Sequence, residues 1–368
     1  MNLLAIDSNA PWQRQLLISL TRVVDGLKVR GIRTETVSSL RNGIHKEVVS
    51  SGNYTESRLV IPGWKLSPKI SSWLITKQIK KTSLETGKLD AIMYSLPHYA
   101  SIAKSIKDTP QIYYSYDPYQ HYRRWDSEWI LEKQQEMLLA CDCSFAVSEE
   151  LSNDFRIYSE KPVIYLPNAI QESWITDVER ISAEPIAPGT AKTKPRVGCI
   201  GRITSDTYDW DLLDSLTSKN PDAEFYFVGD KSYSTPELDF RMEQTLARPN
   251  ITWTGFTPHS ELPAHLSSFD VCLNPLAVSD HANRRSQLRL YDYLATSAPI
   301  LSTPLSEAKS LAPHVTIADK QTAATILSQM LEHPSEFVSP EERKLFIRKN
   351  TWEARASQLW ATMQKFFR

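Results

Sequence analysis

Apolar residues in this chain come in two rhythms that alternate from end to end. Short continuous runs rich in Ile, Val, Tyr and Leu have the length of buried strands. Between them, apolar positions return every three or four residues, the period of a helix with one buried face. In the first half the runs predict strands at 3–7, 33–37, 91–94, 111–116, 143–147 and 163–166. The helical period there predicts helices at 13–25, 69–85, 100–106, 129–140 and 148–157. A second series predicts strands at 196–200, 224–228, 251–254 and 271–274, with helices at 210–219 and 260–267. SQLRLYDYLATSAPILSTP, residues 286 to 304, closes that series as a helix stopped by Pro299 and followed by another strand. Such alternation is the signature of parallel βαβ units. The expected fold class is therefore α/β, with two Rossmann-like parallel-sheet domains facing a cleft. ISAEPIAPGTAKTKP, between the two series, has no apolar period and reads as linker. The expected division is a first domain over 1–172, a linker over 173–195, a second domain over 196–345 and a closing segment over 346–368.

Ligands of parallel sheets bind at the carboxyl ends of the strands. In the second half those ends carry Gly201-Arg202, Gly229-Asp230, Gly255-Phe256-Thr257-Pro258 and Asn274-Pro275. Each glycine alone reads as a tight turn, and four such ends in series read as a binding edge. The 286–304 helix has one polar stripe, Arg285, Arg289, Asp292 and Thr296, spaced i, i+4, i+7 and i+11. Its N-terminus, with Arg284, Arg285 and Arg289, favours phosphate, and Arg202 would enter from the first strand end. A guanidinium fork suits diphosphate oxygens, and Asp292 could accept two ribose hydroxyls. Arginine for diphosphate and acid for ribose together describe a nucleotide-sugar site. The plainer reading is an Arg289–Asp292 surface ion pair worth about 0.3–0.5 kcal/mol.

Composition narrows the classes. With 368 residues the chain can build two cores. A net charge of −1 argues against a protein that coats nucleic acid. No apolar stretch reaches the ~20 residues of a membrane span, and MNLLAIDSNAPW lacks the pattern of a secretory signal. The four cysteines form neither a disulfide framework nor a zinc spacing, so reduced thiols and a cytoplasmic location are expected.

RLYDYLATSAPILST resembles the K-L-x-E-Y-L-A-x-G-x-P-V-V-x-T segment of GT-B glycosyltransferases. VGCIGRI is similar to the first strand and phosphate loop of their donor domain, NITWTGFTPHSELP to their N-V-x-x-x-G-x-x-P-x-x-x-L-P segment, and FDVCLNP to their A-D-V-x-L-x-P strand. YYSYDPY, VSEEL and LPNAI also have counterparts, and TWEARASQLW resembles the closing helix of the family, which implies a C-terminal helix over 346–368 that crosses back to the first domain. The resemblance covers roughly residues 90 to 360 and is strongest in the second half. It departs in four places. Ser205-Asp206-Thr207-Tyr208-Asp209 stands where many relatives have a lysine, and Ser297 replaces the glycine before the proline. Arg284 takes the first position of the E-x7-E pair, of which Asp292 matches the second. Ser8-Asn9-Ala10-Pro11-Trp12 replaces a Gly-Gly loop. The donor-binding residues this implies are Gly201, Arg202, Thr257, Pro258, Asn274, Arg285, Ser286, Arg289, Leu290 and Asp292.

The implied activity is transfer of a sugar from a nucleotide-diphosphate sugar to a hydroxyl acceptor, a saccharide or lipid-linked acceptor, in surface polysaccharide or glycolipid synthesis. The nucleotide sugar is a co-substrate, and no further cofactor and no metal are expected. Inversion at the anomeric carbon needs a base. Asp117, closing an apolar strand before Pro118, is the first candidate, and it reads equally as a turn residue. His98 is the second candidate, with core packing as its plainer role. His121, Trp12 and Arg14 are the acceptor-side candidates. Between 64 and 81, Trp64, Trp73, Leu74 and Ile79 are interleaved with Lys65, Lys69, Lys77, Lys80 and Lys81. This stretch reads either as a solvated helix face or as a weak contact with anionic membrane at its inner face. Two other classes fit a two-sheet chain, a nucleotide-sugar 2-epimerase and an inactive nucleotide-sugar-binding partner.

Overall fold

The computed structural model describes residues 1–37, 48–122, 125–183 and 194–365. The chain divides into two compact units, one of Met1–Asn168 with Arg284–Ser286 and Trp352–Arg368, the other of Ala169–Asn283 with Gln287–Thr351.

The first unit is built on β1 (Asn2–Ile6), β2 (Lys28–Thr36), β3 (Ser50–Ser51), β4 (Tyr54–Ile61), β5 (Ala91–Tyr94), β6 (Gln111–Ser115), β7 (Cys143–Ala146) and β8 (Val163–Tyr165). Their order across the sheet is β3-β4-β2-β1-β5-β6-β7-β8, all parallel except the β3–β4 pair. Helices Pro11–Val23, Pro68–Thr86, Ala100–Ser105, Ser127–Ala140 and Glu149–Tyr158 fall within two residues of the sequence expectation. Their starts have local causes. Pro11 and Pro68 occupy first-turn positions where no N–H is needed, and the side chains of Asp126 and Ser148 accept the backbone N–H groups of Trp129 and Leu151. The core gathers Leu4, Ile6, Ile92, Tyr94, Tyr113 and Phe155, with the last two rings stacked 5.8 Å apart.

Among the strands that differ from expectation, two are long ones of this unit. β2 begins at Lys28, five residues early, because Lys28 and Arg30 are exposed and break the apolar run without breaking the alternation. β4 is apolar only at its ends, Tyr54 and Leu59-Val60-Ile61, and is not among the expected strands. Its middle, Thr55-Glu56-Ser57-Arg58, pairs with β2 near the sheet edge, where polar residues are tolerated.

The second unit carries β9 (Arg196–Ile200), β10 (Ile203–Thr204), β11 (Glu224–Val228), β12 (Lys231–Ser232), β13 (Ile251–Gly255), β14 (Val271–Asn274), β15 (Ile300–Ser302) and β16 (Thr316–Ile317). Six of these form a parallel sheet ordered β13-β11-β9-β14-β15-β16. The stretch expected as linker is helical over Glu172–Ala183, with Trp174 and Val178 buried in this unit's core. Residues 184–193 of that expectation lie outside the described residues. The helix read at 286–304 is shorter than its pattern, Leu288–Leu294, and the three residues before Gln287 group with the first unit. The closing helix Trp352–Met363 also packs in the first unit, where Ser19 donates to Glu353 at 3.0 Å and Arg22 pairs with the same carboxylate at 3.3 Å. All four cysteines are buried and unbonded to one another.

At the centre of the second sheet, Gly198 lies directly under the ring of Phe269, where a Cβ would overlap the ring. Gly198→Ala should therefore destabilise this unit by about 1–3 kcal/mol, as overpacking does. Combining it with Phe269→Leu should recover part of the loss, read as the midpoint of urea unfolding.

Candidate functional site

Both sheets reverse direction once. In the second unit the chain leaves β9 for β11 and β13 on one side and returns through β14, β15 and β16 on the other. The connections after β9 and β14 thus diverge and leave a crevice at their carboxyl ends, the usual ligand position in an open α/β sheet. Gly201 ends β9 at φ +102°, and Gly229 ends β11 at φ +142°. A Cβ at Gly229 would run into the Gly201 carbonyl, so the two backbones meet at closest approach.

Over this contact lies Arg289. One guanidinium nitrogen donates to the Tyr208 hydroxyl at 2.8 Å and to the Cys199 sulfur at 3.4 Å, and the other approaches the Arg202 carbonyl at 3.5 Å. The Arg289 guanidinium also sits 5.2 Å from the Tyr208 ring centroid. It makes no ion pair with a carboxylate among the described residues. Arg202 is exposed. Asp292, nearly one turn along the same short helix, is pushed up to about 7 by burial, with Arg289 pulling the other way. No Arg289–Asp292 hydrogen bond forms, so the surface ion-pair reading does not hold. Asn274 is fully buried at the end of β14, where its amide donates to Ser302 at 2.9 Å and its Oδ1 has no partner.

Several expected donor residues belong elsewhere. Arg284 forms a two-point pair with Asp154, at 2.6 and 3.3 Å, and Arg285 lies 3.3 Å from Asp117. Both arginines are therefore already matched to acids of the first unit. Ser286 accepts the Asn168 backbone amide at 3.0 Å. Leu290 is a core residue with no exposure, and its N–H is used by the Gln287 carbonyl. Thr257 and Pro258 follow β13, the edge strand, with β11 between it and β9. The start of the helix is not an open phosphate seat either. The buried Glu307 carboxylate accepts the Gln287 N–H and, at 2.9 Å, the Tyr291 hydroxyl. An anion already occupies the positive end of the helix.

In the first unit, Asp117 is buried and committed to two partners, Arg285 and the Tyr122 hydroxyl, which donates at 2.6 Å. The first base candidate of the sequence is thus a paired carboxylate. His98 is walled by Trp64, Trp125 and Trp129, with ring centroids 5.5, 4.6 and 5.1 Å away. Burial alone lowers its pKa to about 4, which leaves it neutral and a poor base at neutral pH. Arg14 is spent on the buried Glu56, 2.7 Å away. Trp12 is half-buried edge-on to Tyr116 at 6.0 Å, and His121 ends a 3-10 turn, Tyr119–His121. Sequence reasoning missed Tyr208 and Glu307. Nothing local marks either one, since each acts on a residue more than ten positions away.

Residues 194–333 match the family model described as Glycosyl transferases group 1. Over 144 residues the chain is 27% identical to TuaH of Bacillus subtilis (strain 168), provisionally named a teichuronic acid biosynthesis glycosyltransferase. That stretch is 38% of this chain and 35% of the relative, so the match spans about a third of the curated protein. Likeness of structure runs the whole length. Sucrose-phosphate synthase of Thermosynechococcus elongatus superposes with a TM-score of 0.71 at 16% identity, covering 100% of this chain and 99% of that one. HepE of Anabaena, in complex with UDP and glucose, superposes with a TM-score of 0.68 at 14% identity, covering 99% of each.

The His98 box makes stability depend on pH. A histidine whose folded pKa is about 4 contributes its full stability above the unfolded value of 6.5 and loses it as pH falls towards 4. At about 1.4 kcal/mol per unit this is on the order of 3 kcal/mol. His98→Phe keeps the ring and removes the titration. The stability gap between variant and wild type should therefore widen in favour of the variant from pH 7 to pH 4, measured by urea unfolding.

Proposed function

We propose, for a chain of GT-B fold whose second unit carries a glycosyl transferases group 1 domain, that it transfers a sugar from a nucleotide-diphosphate donor to a hydroxyl acceptor. The observation that supports this best is the guanidinium of Arg289. It is held over the Gly201–Gly229 contact at the switch point of the second sheet and lacks an acid partner among the described residues. In this reading Arg289 and the exposed Arg202 neutralise the diphosphate, both in binding and as the leaving group gains charge. Asp292 accepts the ribose hydroxyls, and Gly201 and Asn274 complete the donor edge. UDP is the nucleotide to test first, because HepE is seen with UDP and glucose. A role in surface polysaccharide synthesis is favoured by the likeness to TuaH.

A weak membrane contact is a second part of the reading. On the helix Pro68–Thr86 and the residues leading into it, Leu66, Ile70, Trp73 and Leu84 are all more than half exposed. Lys69, Lys77, Lys80 and Lys81 are exposed beside them, and Lys77 lies 5.3 Å from the Trp73 ring. An apolar stripe flanked by lysines suits the interface of an anionic bilayer. Trp64, counted with this patch in the sequence, packs against Tyr99 instead. No helix among the described residues is long and apolar enough to cross a membrane.

Arg289→Ala should weaken UDP binding by about 1.5–3 kcal/mol in titration calorimetry, the cost of a lost charge-assisted contact. Arg202→Ala should weaken it by less, since its side chain is exposed. Unchanged affinity in both would remove this donor site. Neutralising Lys77, Lys80 and Lys81 together should release the protein from phosphatidylglycerol vesicles at low salt, at roughly 1 kcal/mol per lysine. If the wild type does not sediment with such vesicles, the stripe is a solvated face.

A further inference from the structure

The helix that carries Arg289 and Asp292, Leu288–Leu294, is seven residues long. A helix of fewer than two turns does not hold itself in water, so its place is set by what grips its ends. At its start the Glu307 carboxylate accepts the Gln287 N–H and the Tyr291 hydroxyl. Its other end lacks the usual stop. Helices commonly close on a glycine in left-handed backbone. Here Ala295-Thr296-Ser297-Ala298-Pro299 follows without a glycine, and Asp7, at φ +67°, is the one non-glycine residue at positive φ among the described residues. The Thr296 hydroxyl donates to the Tyr293 carbonyl at 2.8 Å, and the chain then turns into β15.

This turn is gripped by Arg343. The residue lies on the helix Pro340–Arg348 and is 1% exposed. One guanidinium nitrogen donates to the Thr296 carbonyl at 3.0 Å and the Ala298 carbonyl at 2.6 Å, and the other donates to the His314 carbonyl at 3.0 Å. Bonds from one rigid plane thus fix the chain on both sides of Ser297 and tie it to the loop ahead of β16. No carboxylate pairs with Arg343 among the described residues. Burial lowers its pKa to about 10, which leaves it a cation at neutral pH. A cation suits this end of a helix, as the Glu307 anion suits the other. The arginine is itself anchored by its neighbours. Ile347 is buried in the same core as Leu290 and Leu294, and the Phe346 ring lies 4.4 Å from that of His314. A buried cation without an acid is costly, and an apolar side chain would fill the core as well. The charge serves the three carbonyls.

We propose that Arg343 is a positioning residue for the donor site, holding the end of the Leu288–Leu294 helix where Arg289 is aimed over the Gly201–Gly229 contact. The proposal rests on the donor site described above. Arg343 makes its hydrogen bonds to backbone carbonyls and none to Arg289 or Asp292, so its effect on a bound nucleotide passes through the helix.

The test titrates nucleoside diphosphates, UDP first and then GDP and ADP, into the full chain by calorimetry, well below the unfolding temperature. The variants are Arg343→Met, Arg343→Lys, Arg289→Ala, and Arg343→Lys combined with Arg289→Ala, with urea unfolding measured on each. Arg343→Met keeps the apolar stem and loses every donor, whereas Arg343→Lys keeps the charge and reaches fewer carbonyls. Affinity should fall about 5–50-fold in Arg343→Met and by less in Arg343→Lys. With Arg289→Ala already present, the Arg343→Lys loss should shrink to less than half on a logarithmic scale, because the residue it aims is gone. Folded Arg343 variants that bind within twofold of wild type, while Arg289→Ala binds weakly, overturn this proposal alone. Losses that multiply in full in the combined variant do the same. So does a chain in which neither Arg343 variant folds, since Arg343 would then support the whole unit rather than one helix. A wild type that binds none of the three nucleotides, or an Arg289→Ala and an Arg202→Ala that bind as well as wild type, removes the donor site and this proposal with it.

Discussion

The end of β9 sets the chemistry of the second unit. There the carbonyl of Gly201 lies so close to Gly229 that a Cβ on Gly229 would overlap it. The guanidinium of Arg289 fills the space above, 3.3 Å from where a Cβ on Gly201 would stand. The arginine is held by Tyr208, Cys199 and a backbone carbonyl, none of them a carboxylate, so its charge is oriented without an acid to cancel it. Tyr208 is itself fixed by stacking on Trp210, 5.4 Å away. A strong cation kept in a crevice without an acid partner is a standing demand for an anion.

The other cations nearby in sequence behave differently, and the contrast is informative. Arg284 and Arg285 are each matched to a carboxylate, and the helix start expected to draw a phosphate is answered by Glu307. Of three arginines within six residues, two are thus paired with acids and one is held by groups that are not carboxylates. Only the one on the Leu288–Leu294 helix keeps its charge available.

The first unit treats its own switch point in another way. Where β9 ends in glycine, β1 ends in a buried aspartate forced into a left-handed turn by Thr34 and Asn9. One sheet end presents a positive group and a bare backbone, the other a desolvated acid with open amide and indole groups beside it. The aromatic box around His98 belongs to the packing of that unit rather than to its chemistry.

Apolar rhythm along the chain sufficed to determine the two α/β series, most strands and the helices of the first half, because buried parallel strands and one-faced helices impose local periods. It could not reveal β4, whose polar middle belongs to the sheet edge, nor the helix over 173–183, whose few buried residues matter only once Trp174 and Val178 meet their core. The same division holds for the candidate site. Gly201, Arg202, Arg289 and Asp292 were legible because glycine at a strand end and charge on a buried helix are local anomalies. The pairing of Asp117 with Arg285, Arg284 with Asp154 and Glu307 with the start of the helix, and the strain at Asp7, were decided by tertiary structure alone. Each depends on which charge or donor arrives from a distant segment, and Coulomb energy and desolvation are set by distance in space, not by spacing along the chain.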